Sequence, residues 1–168
     1  MKRYIIPIAV TLVLLLTHPT WVNAQTKPEA TVKISGEVSQ PLTIGAAELQ
    51  KAERVAVDRK DRDGKVHHYT GVLLSALLTQ AGTTLGKDLR GENLTKYVLV
   101  EASDGYQIIF TLAELDTDFT DEKIILADQM DDRPLPLADG PFRIIVQNDK
   151  KPARCIKQVT NIKVGFAQ

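Results

Sequence analysis

Two Asp-Gly pairs, each set between runs of alternating apolar residues, do most to limit what this chain can become. The first stands in "RDGK" (Arg62 to Lys65), with Val55 and Val57 before it and Val66 to Tyr69 after it. The second stands in "SDG" (Ser103 to Gly105), between strand-like runs over Tyr97 to Ala102 and Tyr106 to Thr111. Asp-Gly in this setting marks a hairpin, because the favoured two-residue turns need backbone conformations that these residues tolerate. Further strands follow from the same reading. "ATVKISGEV" alternates Val32 and Ile34 with Lys33 and Ser35; "KIILADQM" is nearly continuous in apolar residues and reads as a central strand. "FRIIVQ" and "KQVTNIKVGF" close the chain as strands, the second carrying on from Cys155. Helices are few and short. "TIGAAELQKA" predicts one with Thr43 as N-cap. "GVLLSALLTQAG" predicts another with Val72, Leu73, Ala76, Leu77 and Ala81 on one side and Gly82 as terminator. A third, very short, follows Thr111. Thr83 to Thr95 is a looser segment, and "DDRPLPLADGP" a proline-rich connection. The expected class is α+β, with a mixed, mostly antiparallel sheet core and a few short helices.

The first 24 residues read as a signal peptide. Lys2 and Arg3 precede a 13-residue apolar run, Tyr4 to Leu16, and Val22 and Ala24 supply the small residues at the cut. A membrane-spanning helix needs about 20 apolar residues, so no stable anchor is expected after cleavage. The lysine–arginine pair is not a twin arginine, which points to the general secretory route for unfolded chains. Residues 25–30 are expected to be flexible and 31–168 to form the folded domain, in the periplasm or secreted. Without Lys2 and Arg3 the chain carries 19 basic and 21 acidic residues, a formal charge of −2 that gives no case for nucleic acid. The single cysteine cannot make an intrachain disulfide.

Signals for chemistry are sparse. His67 and His68 are adjacent, so on a regular strand they point to opposite faces and cannot share one metal. "DRKDRDG" lacks the ligand spacing of a calcium loop and reads as a turn. No nucleophile elbow, phosphate loop or dinucleotide glycine pattern is present. Cys155 lies between Arg154 and Ile156, and its ordinary role is that of a small buried hydrophobe. Arg143, Lys150, Lys151, Arg154 and Lys157 fall close together with only Asp149 opposing them, a candidate anion site or a solvated face.

The order of three segments carries a resemblance. "YTGVLLSALLTQAG", then "ASDGYQIIFTLAEL", then "RPLPLADGPFRIIVQNDKKPARCIKQVTNIKV" together resemble the molybdopterin-binding domain of the sulfite oxidase family, from about Val32 to Val164. The resemblance implies that family's fold and, as cofactor, a molybdopterin whose terminal phosphate is held by basic side chains and backbone amides. Carried onto this chain, the cofactor-binding positions are Arg143, Lys151 and Arg154, with Asp104 and Tyr106 on the neighbouring turn. The family's enzymes also take a thiolate ligand to the metal from upstream of the "Gly-Val" helix. Here that region is "RVAVDRKDRDGKVHHY", without a cysteine, and Cys155 lies far downstream. No metal ligand and no catalytic residue are therefore assigned. The expectation is an exported protein that binds a pterin or another small anionic ligand. Its alternatives are a molybdenum-dependent oxidoreductase with a non-cysteine ligand, and a cofactor-free module that docks a periplasmic protein partner.

Overall fold

The computed structural model describes residues 29–167; the expected signal segment, 1–24, lies outside them. Ten strands form two sheets. In the first, β2 (Leu42–Ile44), β1 (Val32–Gly36), β10 (Val159–Phe166), β5 (Lys96–Ala102) and β6 (Gln107–Thr111) lie side by side in that order. Only β1 and β10 run parallel; the other neighbours are antiparallel. In the second sheet β3 (Val55–Lys60), β4 (Val66–Leu73) and β7 (Ile124–Met130) are consecutive. Two short strands then share the far edge of β7. β9 (Arg143–Val146) pairs with its first half and β8 (Arg133–Pro134) with its end. The expected mixed, mostly antiparallel α+β architecture is what the chain adopts.

The apolar run of β7 is buried on both faces, as its lack of alternation requires. Ile124 and Leu126 join the larger core, which links both sheets to helix α2 (Leu74–Gln80). Ile125 and Ala127 face a smaller cluster with Val57, Tyr69, Leu135 and Ile145 on the other side. Gly71 is needed where β4 crosses β7: a Cβ there would stand 2.2 Å from the Leu126 carbonyl oxygen. Both Asp-Gly turns form, and Gly64 holds φ +82° between β3 and β4.

The helices depart from expectation in detail. Helix α1 (Ala46–Lys51) is capped by Gly45, whose N–H donates to Glu48 Oε2 at 3.0 Å; Thr43 sits in β2. Strand β4 extends through Leu73, so Val72 is a strand residue. The buried face of α2 is then Leu74, Leu77 and Leu78, while Ala76 is exposed. No helix follows Thr111. The Glu114 carboxylate accepts from the Thr111 N–H, and Asp116 accepts from the amides of Asp118 and Gly86. These side chains bond the backbone groups that a helix would use, and turns result. Cys155 lies in the loop after a 3-10 turn at Pro152–Arg154, ahead of β10 rather than in it. No helix among the described residues is long and apolar enough to cross a membrane.

Candidate functional site

Where the β3–β4 turn, the β5–β6 turn and the 139–157 segment converge, they enclose a cavity of about 600 Å³. That is ample for one small organic molecule. Its floor is set by β9. Because Arg143 alternates with Ile144, it points to the small-cluster side of the second sheet, where only 4% of it is exposed.

Burying a guanidinium demands partners, and they come both from the adjoining turn and from distant parts of the chain. Arg143 Nη1 donates to Asp139 Oδ2 at 2.9 Å and to the Tyr69 hydroxyl at 2.8 Å, and lies 3.5 Å from Asp61 Oδ2. The Tyr69 hydroxyl in turn donates to Asp61 Oδ2 at 2.6 Å. Burial, followed by that bond to Asp61, pushes the phenol well above its usual range, so it stays a hydroxyl. Arg59, also buried, stands 3.6 Å from Asp61 Oδ1 and donates to the carbonyls of Val146 and Gln147. At the rim, Lys157 Nζ reaches Asp139 Oδ1 at 2.6 Å.

In this network Arg59, Arg143 and Lys157 meet Asp61 and Asp139, while the cavity wall also carries Arg62, Asp63 and Asp104. Arg143 Nε is buried and has no hydrogen-bond partner. A donor desolvated in this way favours any acceptor that can reach it.

Of the residues expected to bind a cofactor, the fold brings together Arg143, Asp104 and Tyr106, all of which line this cavity. Tyr106 is half exposed; its hydroxyl donates to the Ala153 carbonyl at 3.1 Å, and its N–H donates to Asp104 Oδ1 at 3.0 Å. Arg154 and Lys151 are not among the lining residues. Arg154 turns to another side, where it donates twice to Asp149 at 2.8 Å and once to Glu114 at 2.7 Å, over the Phe110 ring. There it lines a separate cavity of about 430 Å³. Lys151 is exposed ahead of the 3-10 turn. Sequence reading missed Asp61, Tyr69 and Asp139 as site residues. Tyr69 was visible only as the aromatic of the "Tyr-Thr-Gly-Val" motif, and the two aspartates only as turn residues.

The cavity lies at the ends of hairpins in a two-sheet α+β domain, a small-molecule cleft built on turns. Over residues 19–167 the sequence matches the family described as oxidoreductase molybdopterin binding domain, and the chain belongs to that family. No curated protein sequence matches it. Among solved structures, the sulfane dehydrogenase SoxCD from Paracoccus pantotrophus shares the fold with a TM-score of 0.63 at 17% sequence identity. The similarity covers 80% of this chain and 38% of the SoxCD chain, so this protein spans well under half of that relative.

The family implies a molybdenum-bearing pterin, and the lining residues can be tested against it. Cys155 is the one cysteine, and it is among the residues that line the cavity. It is 4% exposed, burial pushes its pKa up, and the Val146 N–H points at the sulfur at 3.5 Å. With the sulfur packed against the Val146 backbone and the residue counted in the main core, the side chain is held as a buried hydrophobe. Among the described residues no three histidine, cysteine or acidic side chains are grouped to hold a metal. The donors present do not fit a molybdenum ligated by a protein thiolate. Arg143 and Lys157 in the lining are basic donors of the kind that suits the anionic organic part of such a group.

Proposed function

We propose that this protein is an exported binding protein that takes a small anionic ligand of the pterin type in the cavity floored by Arg143. In this reading the folded domain begins near residue 31, follows a cleaved export signal, and works in the periplasm. The observation that carries it is the placing of Arg143 and Lys157 together in the lining of a cavity of suitable size, with Arg143 held there by a buried ionic network. The ligand's anionic group sits over Arg143 and Lys157, while Tyr106, half exposed at the rim, offers an aromatic face to a planar ring.

Fluorescence titration with a phosphorylated pterin tests this, alongside native mass spectrometry of protein secreted with its own leader. Saturable binding that weakens at least tenfold in Lys157→Ala supports the reading; each tenfold step corresponds to about 1.4 kcal/mol. Protein that carries no organic anion and takes up none of the pterin overturns it. The same preparation, assayed for molybdenum, separates a loaded oxidoreductase from a binding protein.

A further inference from the structure

We propose that His67, clamped between Asp63 and Asp131, is a proton-operated latch that holds one wall of the cavity closed. The proposal concerns regulation of the same cavity and rests on the ligand-binding reading above for its purpose. The latch itself rests on geometry. His67 Nδ1 lies 2.7 Å from Asp131 Oδ2, and Nε2 lies 3.0 Å from Asp63 Oδ2. A neutral imidazole carries one N–H, so it can serve only one of two carboxylates and turns a lone pair toward the other. Occupying both positions requires the imidazolium.

The two carboxylates come from different turns. Asp63 belongs to the β3–β4 turn, where its Oδ1 accepts from the Lys65 N–H at 2.9 Å. Asp131 and Asp132 form the two-residue β7–β8 turn, with φ +52° and +60°, conformations that non-glycine residues adopt reluctantly. Asp131 is tied down by β4: its N–H donates to the His68 carbonyl at 2.7 Å, and its Oδ1 accepts from the His68 N–H at 2.9 Å. His67 thereby ties the exposed Asp63 turn to the Asp131 turn, which β4 holds in place. Asp63, His67 and Met130 all line the cavity, which makes the fastened turn part of its wall.

The charged groups that face the ring are Asp131 and Asp63; Tyr69 presents its ring at 62° from the same strand, and Arg62 lines the cavity beside it. The bond to Asp131, then that to Asp63, raises the His67 pKa above the ordinary histidine value, and His67 lowers both carboxylates. The sign follows. The clamp is complete below the ordinary histidine pKa and is released as pH rises through the elevated value of His67. His68 is the built-in contrast. It meets a single carboxylate, Asp58, through Nδ1 at 2.7 Å, and a neutral ring can still donate there.

Long-range proton–nitrogen NMR of the two rings from pH 5 to 10, read with amide exchange at Gly64, decides the matter without any ligand. Gly64 N–H donates to the Asp61 carbonyl within the fastened turn. The expected result is a His67 ring protonated at both nitrogens at pH 6, below the ordinary histidine value. Gly64 opening, corrected for intrinsic exchange, then rises several-fold through the His67 midpoint. His67→Gln should open at the higher level at every pH. Asp131→Asn keeps the turn, since asparagine tolerates positive φ, and should lower the His67 midpoint. A neutral His67 at pH 6, or Gly64 opening that ignores both pH and His67→Gln, overturns the latch. A cavity that takes no phosphorylated pterin at any pH sinks the ligand reading instead and leaves these measurements as they stand.

Discussion

Arg143 and Arg154 are close in sequence, belong to one basic stretch and have the same chemistry, yet the fold uses them in opposite ways. Arg143 points inward from a strand, with 5% of its side chain exposed, and its partners come from β4 and from the turns at Asp61 and Asp139. Arg154 leaves a 3-10 turn with 34% of its side chain exposed and forms a fork with Asp149 and a single bond to Glu114. The first is a structural post that also lines a cavity. The second is a surface clamp whose charge is spent on two carboxylates. A count of cations along the sequence cannot tell them apart; what separates them is which carboxylates the tertiary fold supplies and how much water remains.

The largest effect that would break this contrast is at Arg143. Arg143→Met removes one partner from a buried ionic network and should cost about 3 kcal/mol in urea denaturation. A cost as small as that of Arg154→Ala would mean that the network is wet. Next comes Tyr69→Phe, which deletes the hydroxyl between Arg143 and Asp61 and leaves both short of a bond. A loss of about 2 kcal/mol is expected in the same assay. The smallest is Arg154→Ala. Solvent screening of so exposed a group limits the loss to about 1 kcal/mol or less, fading as salt approaches about 1 M. Its pH dependence sharpens the comparison. Arg154 holds the Asp149 carboxyl below the usual range, so the stabilisation is present above the ordinary carboxylate pKa and is lost as acid protonates Asp149 through its lowered value. The His67 clamp titrates in the opposite sense and is lost as pH rises. Stability profiles of the two variants therefore diverge from wild type at opposite ends of the pH scale.

The strands and both Asp-Gly turns were legible in the sequence because each depends on residues next to one another. β7, with Ile124 to Ala127 unbroken, could only be central. The helix starts were less legible. Val72 and Leu73 fit a helical face as well as a strand, and only pairing with Ile125 and Leu126 of β7 assigned them to β4. The site was legible in part. The resemblance implied all five positions together; the fold sets Arg143, Asp104 and Tyr106 around one cavity and leaves Arg154 and Lys151 outside its lining. Asp61 and Tyr69 lay hidden among turn and motif residues, since nothing local marks the partners of a buried arginine 82 and 74 positions away; Asp139, only four positions before Arg143, read as a turn residue.

By itself, then, the sequence determined the class of fold, the family and the lack of an upstream cysteine, because alternation, turn chemistry and composition are properties of short segments. Tertiary structure alone decided which cations stay buried, which carboxylates answer them, and that His67 bridges two turns. Those outcomes depend on desolvation and on distances between groups that meet only when the sheets close.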